Sequence, residues 1–318
     1  MNILLPKTVT ADMFGPGTTI PEVDTDAGEV LWVTGGTFDV KDRRVWKGYT
    51  YECVQPISGS PANAYEPDSK NAAAYWLKDE GAPTNRMAPF DKYLFTKARK
   101  DGAITFELKP GFVDGIAIYG IEADKISIGV TDGDGNDLIP PTVNKDLWEQ
   151  AFGPWEYLFG DLQRGTHYTV KGIPVHPQTT ITITLSRNEP DVEAAIGYIS
   201  VGQWKKLLAP LQTNVGGTQY GVGSSTHDYS FDEDNKDGTY TEIPGLQAKN
   251  ITLSCVIGAA QAPFVDDLLT RILGKAVAIE VSELPRYRHL ATVARVTGEV
   301  RSVSWPTATV ELNIKGNV

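Results

Sequence analysis

Four aromatic side chains near the start of the chain, Trp46, Tyr49, Tyr51 and Trp76, are of the type that binds sugars. They belong to residues 31–81, a segment too short to bury all of its aromatic rings internally, so we expect some rings to be exposed. An exposed Trp or Tyr face can stack on the C–H groups of a pyranose ring. Most rings of a small β module nevertheless form its core, and a contact with a neighbouring subunit is a third possibility. The four residues are therefore carbohydrate-stacking candidates, with a core role as the main alternative.

An acidic turn offers the oxygen ligands that Ca²⁺ prefers, in Asp132, Asp134 and Asn136. Their spacing begins like an EF-hand loop. The sixth position of such a loop needs glycine but is Asp137, and the twelfth needs glutamate but is Val143. Because Asp-Gly is a common turn dipeptide, we predict a hairpin turn here and no bound metal. No other segment of the sequence implies a cofactor.

Side chains that could carry out catalysis are scattered along the chain. The four histidines, at positions 167, 176, 227 and 289, include no pair at metal-ligand spacing. Residues 223–227 begin like a nucleophile elbow, but histidine replaces the second glycine of that motif. Glu149 and Glu156, each beside a tryptophan, could imitate a glycosidase carboxylate pair, although 40 acidic residues make such proximity expected by chance. We therefore predict that the chain is not an enzyme.

The composition disfavours two classes of partner. With 29 Lys and Arg against 40 Asp and Glu, the formal net charge is −11, so the surface repels phosphate backbones and we expect no nucleic-acid binding. No apolar run approaches the roughly 20 residues of a membrane-spanning helix, so we expect no membrane insertion. Cys53 and Cys255 are interpreted as buried free thiols in a reducing compartment, with a disulfide between them as the less favoured alternative.

The periodicity of the chain predicts a mainly β fold in two or three domains. The clearest strands lie between Ala103 and Val130, where apolar and polar residues alternate on both sides of a Pro-Gly break. The predicted organisation is an extended N-terminal arm at 1–30, a small aromatic module at 31–81, a β-sandwich or jelly roll at 82–202, and a further β domain at 203–318.

One helix stands out in the last domain, at residues 263–273. Pro263 suits its first turn, Gly274 suits its end, and the residues between them repeat at helical spacing. The predicted apolar face consists of Phe264, Val265, Leu268, Leu269 and Ile272. Alternating segments on both sides of it predict a sheet on which the helix packs.

Several segments occur in an order that resembles a known group of proteins. Tyr75-Trp76 is followed by an N-R-x-x-x-F-D pattern at 85–91, by residues 107–120, by an I-G-x-I-x-V-G strand at 196–202, and by the Gly-rich run 216–221 leading to Asp228-Tyr229-Ser230. This order resembles bacteriophage and prophage minor tail proteins of long non-contractile tails, over about residues 45–318. The order of the segments carries the resemblance.

The resemblance implies a fold and a role. It implies a segment similar to chitin-binding-type carbohydrate modules at 31–81, a galactose-binding-like jelly roll at 82–202, and a tail-tube-like β-sandwich with one packed helix at 203–318. The implied role is structural: a virion protein, made and assembled in the host cytoplasm, that forms or decorates a ring of the tail tip or baseplate and joins the tail tube to hub and fibres. Expected partners are further copies of the chain, six in a ring, and other tail proteins. The alternative is a receptor-binding module that stacks host surface polysaccharide on exposed aromatic rings.

Overall fold

A computed structural model of the chain describes residues 1–148, 153–160, 164–207, 217–234, 239–243, 245–282, 284–304 and 307–317. These residues are mainly β, with a large curled antiparallel sheet and one longer helix packed on it. The mainly β, sandwich-type fold class predicted from the sequence is thereby confirmed.

The strands up to residue 150 are β1 (Asn2–Pro6), β2 (Arg43–Trp46), β3 (Tyr49–Cys53), β4 (Trp76–Lys78), β5 (Ala98–Asp101), β6 (Ala103–Leu108), β7 (Gly115–Tyr119), β8 (Lys125–Thr131) and β9 (Thr142–Asp146). Those that follow are β10 (His167–Lys171), β11 (Thr180–Ser186), β12 (Glu193–Ile196), β13 (Tyr198–Lys206), β14 (Gly217–Thr218), β15 (Gly223–Asp228), β16 (Phe231–Asp234), β17 (Tyr240–Ile243), β18 (Gln247–Gly258), β19 (Val277–Glu280), β20 (Ala291–Ser304) and β21 (Thr307–Gly316). The α-helices are α1 (Pro154–Phe159) and α2 (Ala262–Ile272), and short 3₁₀ helices span Ala11–Met13, Ala62–Ala64, Lys70–Ala72, Ala88–Phe90, Ala259–Gln261 and Pro285–Leu290.

The large sheet joins the two ends of the chain. Its strand order is β10-β7-β13-β1-β19-β20-β21-β18-β14, and β15 also pairs with β18. In β18, Ile251, Leu253, Cys255 and Ile257 occupy alternate positions and are buried, as the period of a half-buried strand requires. This apolar face of the sheet packs against α2.

The N-terminal strand β1 lies in the middle of this sheet, between β13 and β19. The sequence predicts an extended arm over 1–30, because this stretch is rich in Pro, Gly, Thr and Asp and shows neither a helical nor a strand period. Ile3 and Leu4 are fully buried in the structure. The domain boundary predicted at 202/203 falls inside β13, so the large sheet continues across it.

A second sheet, in the order β6-β11-β8-β9, packs on the β10-β7-β13 end of the large sheet. Ile104, Phe106, Ile126 and Ile128, at the alternating positions identified in the sequence, are buried in the shared core. The three consecutive strands β6, β7 and β8 are not neighbours in one sheet, however. β11 inserts between β6 and β8, and β7 crosses to the opposite layer. The periodicity predicts each strand but not which strands pair.

Helix α2 begins one residue before the predicted start and ends one residue before the predicted end. Four of its predicted apolar residues, Val265, Leu268, Leu269 and Ile272, are buried against the sheet. Phe264 is half exposed, which corrects its assignment to the buried face. The chain leaves the helix through Gly274, whose positive φ of 77° is readily adopted only by glycine.

Candidate functional site

The aromatic module, residues 31–81, is built on the sheet β2-β3-β4. Its core contains Trp32, Phe38, Tyr51 and Trp76, and the ring of Phe38 meets that of Trp76 edge to face at 5.0 Å. Only 8% of Tyr51 and 4% of Trp76 are exposed. These two carbohydrate-stacking candidates therefore present no ring face to a ligand, because strand alternation turns them inward.

The other two candidates, Trp46 and Tyr49, are half buried at the end of the same strand pair. The indole N–H of Trp46 donates to Asp68 Oδ1 at 3.0 Å, and the ammonium of Lys47 contacts Asp68 Oδ2 at 2.8 Å. The hydrogen bond from Lys47 holds the pKa of Asp68 below its usual range. Trp46 and Tyr49 are therefore the candidates that keep part of a ring at the surface.

The N-R-x-x-x-F-D segment joins the module to the sandwich. The backbone N–H of Asn85 donates to Glu29 Oε1, and its side-chain amide donates to Asp24 Oδ2, each at 2.6 Å. The guanidinium of Arg86 lies 4.2 Å from the ring centre of Phe14. Phe90 also packs edge to face on Phe14, at 5.4 Å. The signature residues thus act as a structural joint.

A cleft of about 380 Å³ opens where this joint meets the module and the large sheet. Its lining comes from residues within 6–9, 49–50, 78–80, 83–92, 198–200 and 274–276. Tyr49 is the one sequence-predicted candidate that lines it, and the ammonium of Lys78 lies 3.3 Å from the centre of the Tyr49 ring. No sequence pattern could indicate this cleft, because its lining residues are as far apart in the chain as Pro6 and Ala276, which are 270 positions apart.

A carboxylate in the cleft, that of Asp91, is poorly solvated. Burial raises the pKa of Asp91 to about 6, although the hydroxyl of Thr96 and the backbone N–H of Tyr93 each donate to it at 2.7 Å. Ser200 also lines the cleft with 3% of its surface exposed, and its hydroxyl interacts with the buried hydroxyl of Tyr198. The cleft therefore combines a tyrosine ring covered by an ammonium group with a poorly solvated carboxylate.

The acidic turn at Asp132 is satisfied within itself. Asp132 Oδ1 accepts hydrogen bonds from the backbone N–H groups of Asp134 and Asn136, each at 2.9 Å, and the side-chain amide of Asn136 donates to Oδ2 at 3.0 Å. These bonds from Asn136 lower the pKa of Asp132. Among the described residues, no group of three or more His, Cys, Asp or Glu side chains could hold a metal ion.

In the part of the chain that the structure describes, large exposed apolar side chains also lie outside the aromatic module. The hairpin of β16 and β17 exposes 58% of Phe231 and 60% of Ile243, which are direct partners across its two strands. Tyr229 and Leu246, at the base of the hairpin, are also exposed. The sequence pointed to Tyr229 only through the resemblance and did not indicate that these side chains are exposed, since their spacing is that of any hairpin.

Helix α1 forms a second apolar projection. Trp155 is 76% exposed, and its ring contacts that of Phe159 at 4.5 Å between ring centres. Tyr157 and Leu158 are exposed beside them. Glu156, half of the carboxylate pair considered in the sequence, is exposed on this helix, and Glu149 lies outside the described residues.

Three further titratable residues, His167, Cys53 and Cys255, lie in packed surroundings. His167 stacks on Tyr119 at 5.5 Å, and burial lowers the pKa of its imidazole to about 4. Cys53 and Cys255 are free and buried, and burial raises the pKa of both thiols. Neither environment activates a nucleophile.

No protein-family model matches the chain, and no curated protein is found to be similar to it. Within the described ranges, no helix is both long enough and apolar enough to cross a membrane.

Proposed function

We propose that this chain is a structural component of a phage tail tip or baseplate. It forms or decorates a ring, of six copies around the tail axis, that joins the tail tube to hub and fibres in the virion. The order of sequence segments supports this role, as does the surface of the chain. Assembly, rather than catalysis, is the chemistry that the exposed side chains favour.

The observation that carries the proposal is the exposed hairpin β16–β17. A two-stranded hairpin is marginally stable alone in water, and clustered exposed apolar side chains mark interaction surfaces. Phe231 and Ile243 face each other across this hairpin and remain more than half exposed. The next copy of the chain covers Phe231 and Ile243. Repeated contacts between two different surfaces of the same chain close into a ring.

The edges of the large sheet support the same assembly. β15 is at one end of the sheet, and all six of its side chains are exposed. It contains neither Lys nor Pro, the residues that proteins use to discourage edge pairing. β10 lies at the opposite end of the sheet. In a ring, the edge of one copy is covered by its neighbour.

The experiment is a mass measurement by size exclusion with light scattering on the wild type and on the double variant Phe231→Ser, Ile243→Ser. The wild type is expected as a closed ring several times the 34.6 kDa of one chain, visible by negative-stain imaging. The double variant is expected as a monomer with unchanged circular dichroism.

The matched control is Leu77→Ser, which removes an exposed apolar side chain of β4 in the module. It should assemble like the wild type. A wild type that remains monomeric at its highest soluble concentration, or a double variant that assembles normally, would contradict the role given to the hairpin.

A second candidate function is the binding of host surface polysaccharide by the aromatic module. Trp46 and Tyr49 favour it, because both keep part of a ring at the surface, whereas Tyr51 and Trp76 are packed in the core of the module. The two roles are compatible in one protein.

Adsorption of assembled particles separates the two roles. Particles carrying Trp46→Ala and Tyr49→Ala should assemble normally and adsorb poorly to cells if the module binds polysaccharide. Normal adsorption by these particles would remove the second candidate and leave the assembly role intact.

A further inference from the structure

We propose that the joint holds the aromatic module against the large sheet more tightly when Asp91 is protonated. This property is independent of the assembly role, since it concerns how firmly one chain holds its own module. An acidic side chain that lies at a joint without a counter-charge links its protonation to the closure of that joint.

Asp91 lies where the joint meets the large sheet. It directly follows the short 3₁₀ helix Ala88–Phe90, which packs on β13. The loop after it supplies both of its hydrogen bonds: the backbone N–H of Tyr93 donates to Oδ1, and the hydroxyl of Thr96 donates to Oδ2. The half-buried Asp91 also lines the cleft, together with side chains of the module. A change in its charge therefore acts on the contact between the module, the joint and the sheet.

The carboxylate of Asp91 has no counter-charge. Within the described ranges Asp91 forms no ion pair, because the ammonium of Lys92 pairs with Glu80 at 3.3 Å and lies 5.2 Å from the ring centre of Tyr93. Both hydrogen bonds to Asp91 come from neutral donors. A partly buried carboxylate without an ion pair is less stable in its charged form, so the surroundings favour the protonated form.

The other titratable groups of the cleft do not supply this charge. Tyr198 of β13 donates its hydroxyl to the backbone carbonyl of Ala276, in the turn after α2. Burial, together with the charge of Asp91, raises the pKa of Tyr198 to about 12. The remaining titratable side chains of the lining are Lys7, Tyr49, Lys78, Asp79, Glu80, Lys92 and Lys275. Among them, Lys92 is the one that lowers the pKa of Asp91, and its effect is smaller than that of burial.

The pKa of Asp91 gives the direction of the effect. Burial raises this pKa to about 6, from an ordinary value of 3.8. A carboxyl group with a higher pKa in the closed joint than in water takes up a proton more readily when the joint is closed. Falling pH therefore stabilises the closed joint, from about pH 6 downward, and the gain is complete near pH 3.8.

The test is hydrogen–deuterium exchange of the full chain, measured by mass spectrometry at pH 7.5 and pH 5. Protection factors of peptides from residues 84–96, corrected for the chemical exchange rate at each pH, report the closure of the joint. For the wild type we expect these factors to rise by about tenfold between pH 7.5 and pH 5.

Two variants assign this change to Asp91. Asp91→Asn, which keeps an acceptor for the N–H of Tyr93, should show the higher protection at both pH values and no tenfold change. Thr96→Val removes a hydroxyl whose hydrogen bond lowers the pKa of Asp91, so its gain at pH 5 should exceed that of the wild type.

The matched control is Asp132→Asn, in the exposed turn that satisfies its own carboxylate. It should keep the tenfold change of the wild type. Peptides of the hairpin β16–β17 serve as an internal reference and should be equally protected in the wild type and in Asp91→Asn. The proposal is overturned if the joint of the wild type gains no protection at pH 5, or if Asp91→Asn keeps the gain of the wild type.

Discussion

The aromatic module and the β16–β17 hairpin are both rich in apolar side chains but use them in opposite ways. The module turns Phe38, Tyr51 and Trp76 into a core of its own. The hairpin leaves Phe231 and Ile243 in solvent. Burial on folding stabilises the chain, whereas surface that stays exposed is available to stabilise an assembly. The aromatic composition indicated the module as a candidate interaction surface, whereas the exposed side chains indicate the hairpin.

The largest expected effect comes from the centre of the module core. Trp76→Ala should lower the free energy of unfolding by about 3–5 kcal/mol, because it removes a buried ring and leaves a cavity. Urea unfolding followed by circular dichroism measures it. Leu77→Ala, at the exposed neighbouring position, is the control and should be nearly neutral. Similar losses for both variants would show that the module has no packed core.

A smaller effect is expected at the surface of the module. Trp46→Ala should cost about 1–2 kcal/mol, since its half-buried ring loses contact with Trp32, 4.9 Å away. The same urea titration applies, with Trp46→Phe expected to recover part of the loss. A cost as large as that of Trp76→Ala would place Trp46 in the core and remove it from the ligand candidates.

The polar partner of Trp46 should matter less than Trp46 itself, and its contribution to stability should be lost in acid. Because the pKa of Asp68 is lowered in the folded chain, its stabilising contribution is present above pH 3.8 and is lost as pH falls through the lowered pKa. Asp68→Asn should therefore flatten the stability profile below about pH 4. The effect should be smaller than that of Trp46→Ala, because the carboxylate remains in water. Thermal unfolding from pH 2 to pH 7 measures it, and an equal effect at pH 7 and pH 2 would contradict it.

The smallest effect on stability is expected at the hairpin. Phe231→Ser in the unassembled chain should change the free energy of unfolding by less than about 0.5 kcal/mol, because the side chain is already largely in solvent. Urea unfolding at a concentration too low for assembly measures it. A loss comparable to that of Trp76→Ala would mean that the hairpin belongs to the core and would end the contrast between the two regions.

Much of the fold follows from local periodicity, and little of the candidate site does. Strands β6 and β8 and helix α2 were predicted because their apolar residues recur at periods that one segment reveals. In β3, Tyr49, Tyr51 and Cys53 share one face, which already pointed to a core role for Tyr51. Sequence alone could not show that Tyr49, at the end of that face, opens into the cleft.

The pairing of strands also exceeded what the sequence could indicate. Inserting β11 between β6 and β8 depends on contacts between residues about 75 positions apart, such as Ile183 with Phe106. The cleft also depends on residues far apart in the chain, because Tyr49 and Lys275 line it together only when the large sheet is complete. Such long-range arrangements leave no local pattern.

The central place of β1 sets the order in which the protein can be completed during synthesis. Asn2 pairs with Lys206 and Glu280, so the ribosome makes β1 long before either of its partners exists. At about 5–20 residues per second, that interval lasts at least roughly ten seconds. During it, Ile3 and Leu4 are an unpaired apolar strand that chaperones can bind. The first strand of the sheet to be made thus waits for a partner until β13 has been synthesised.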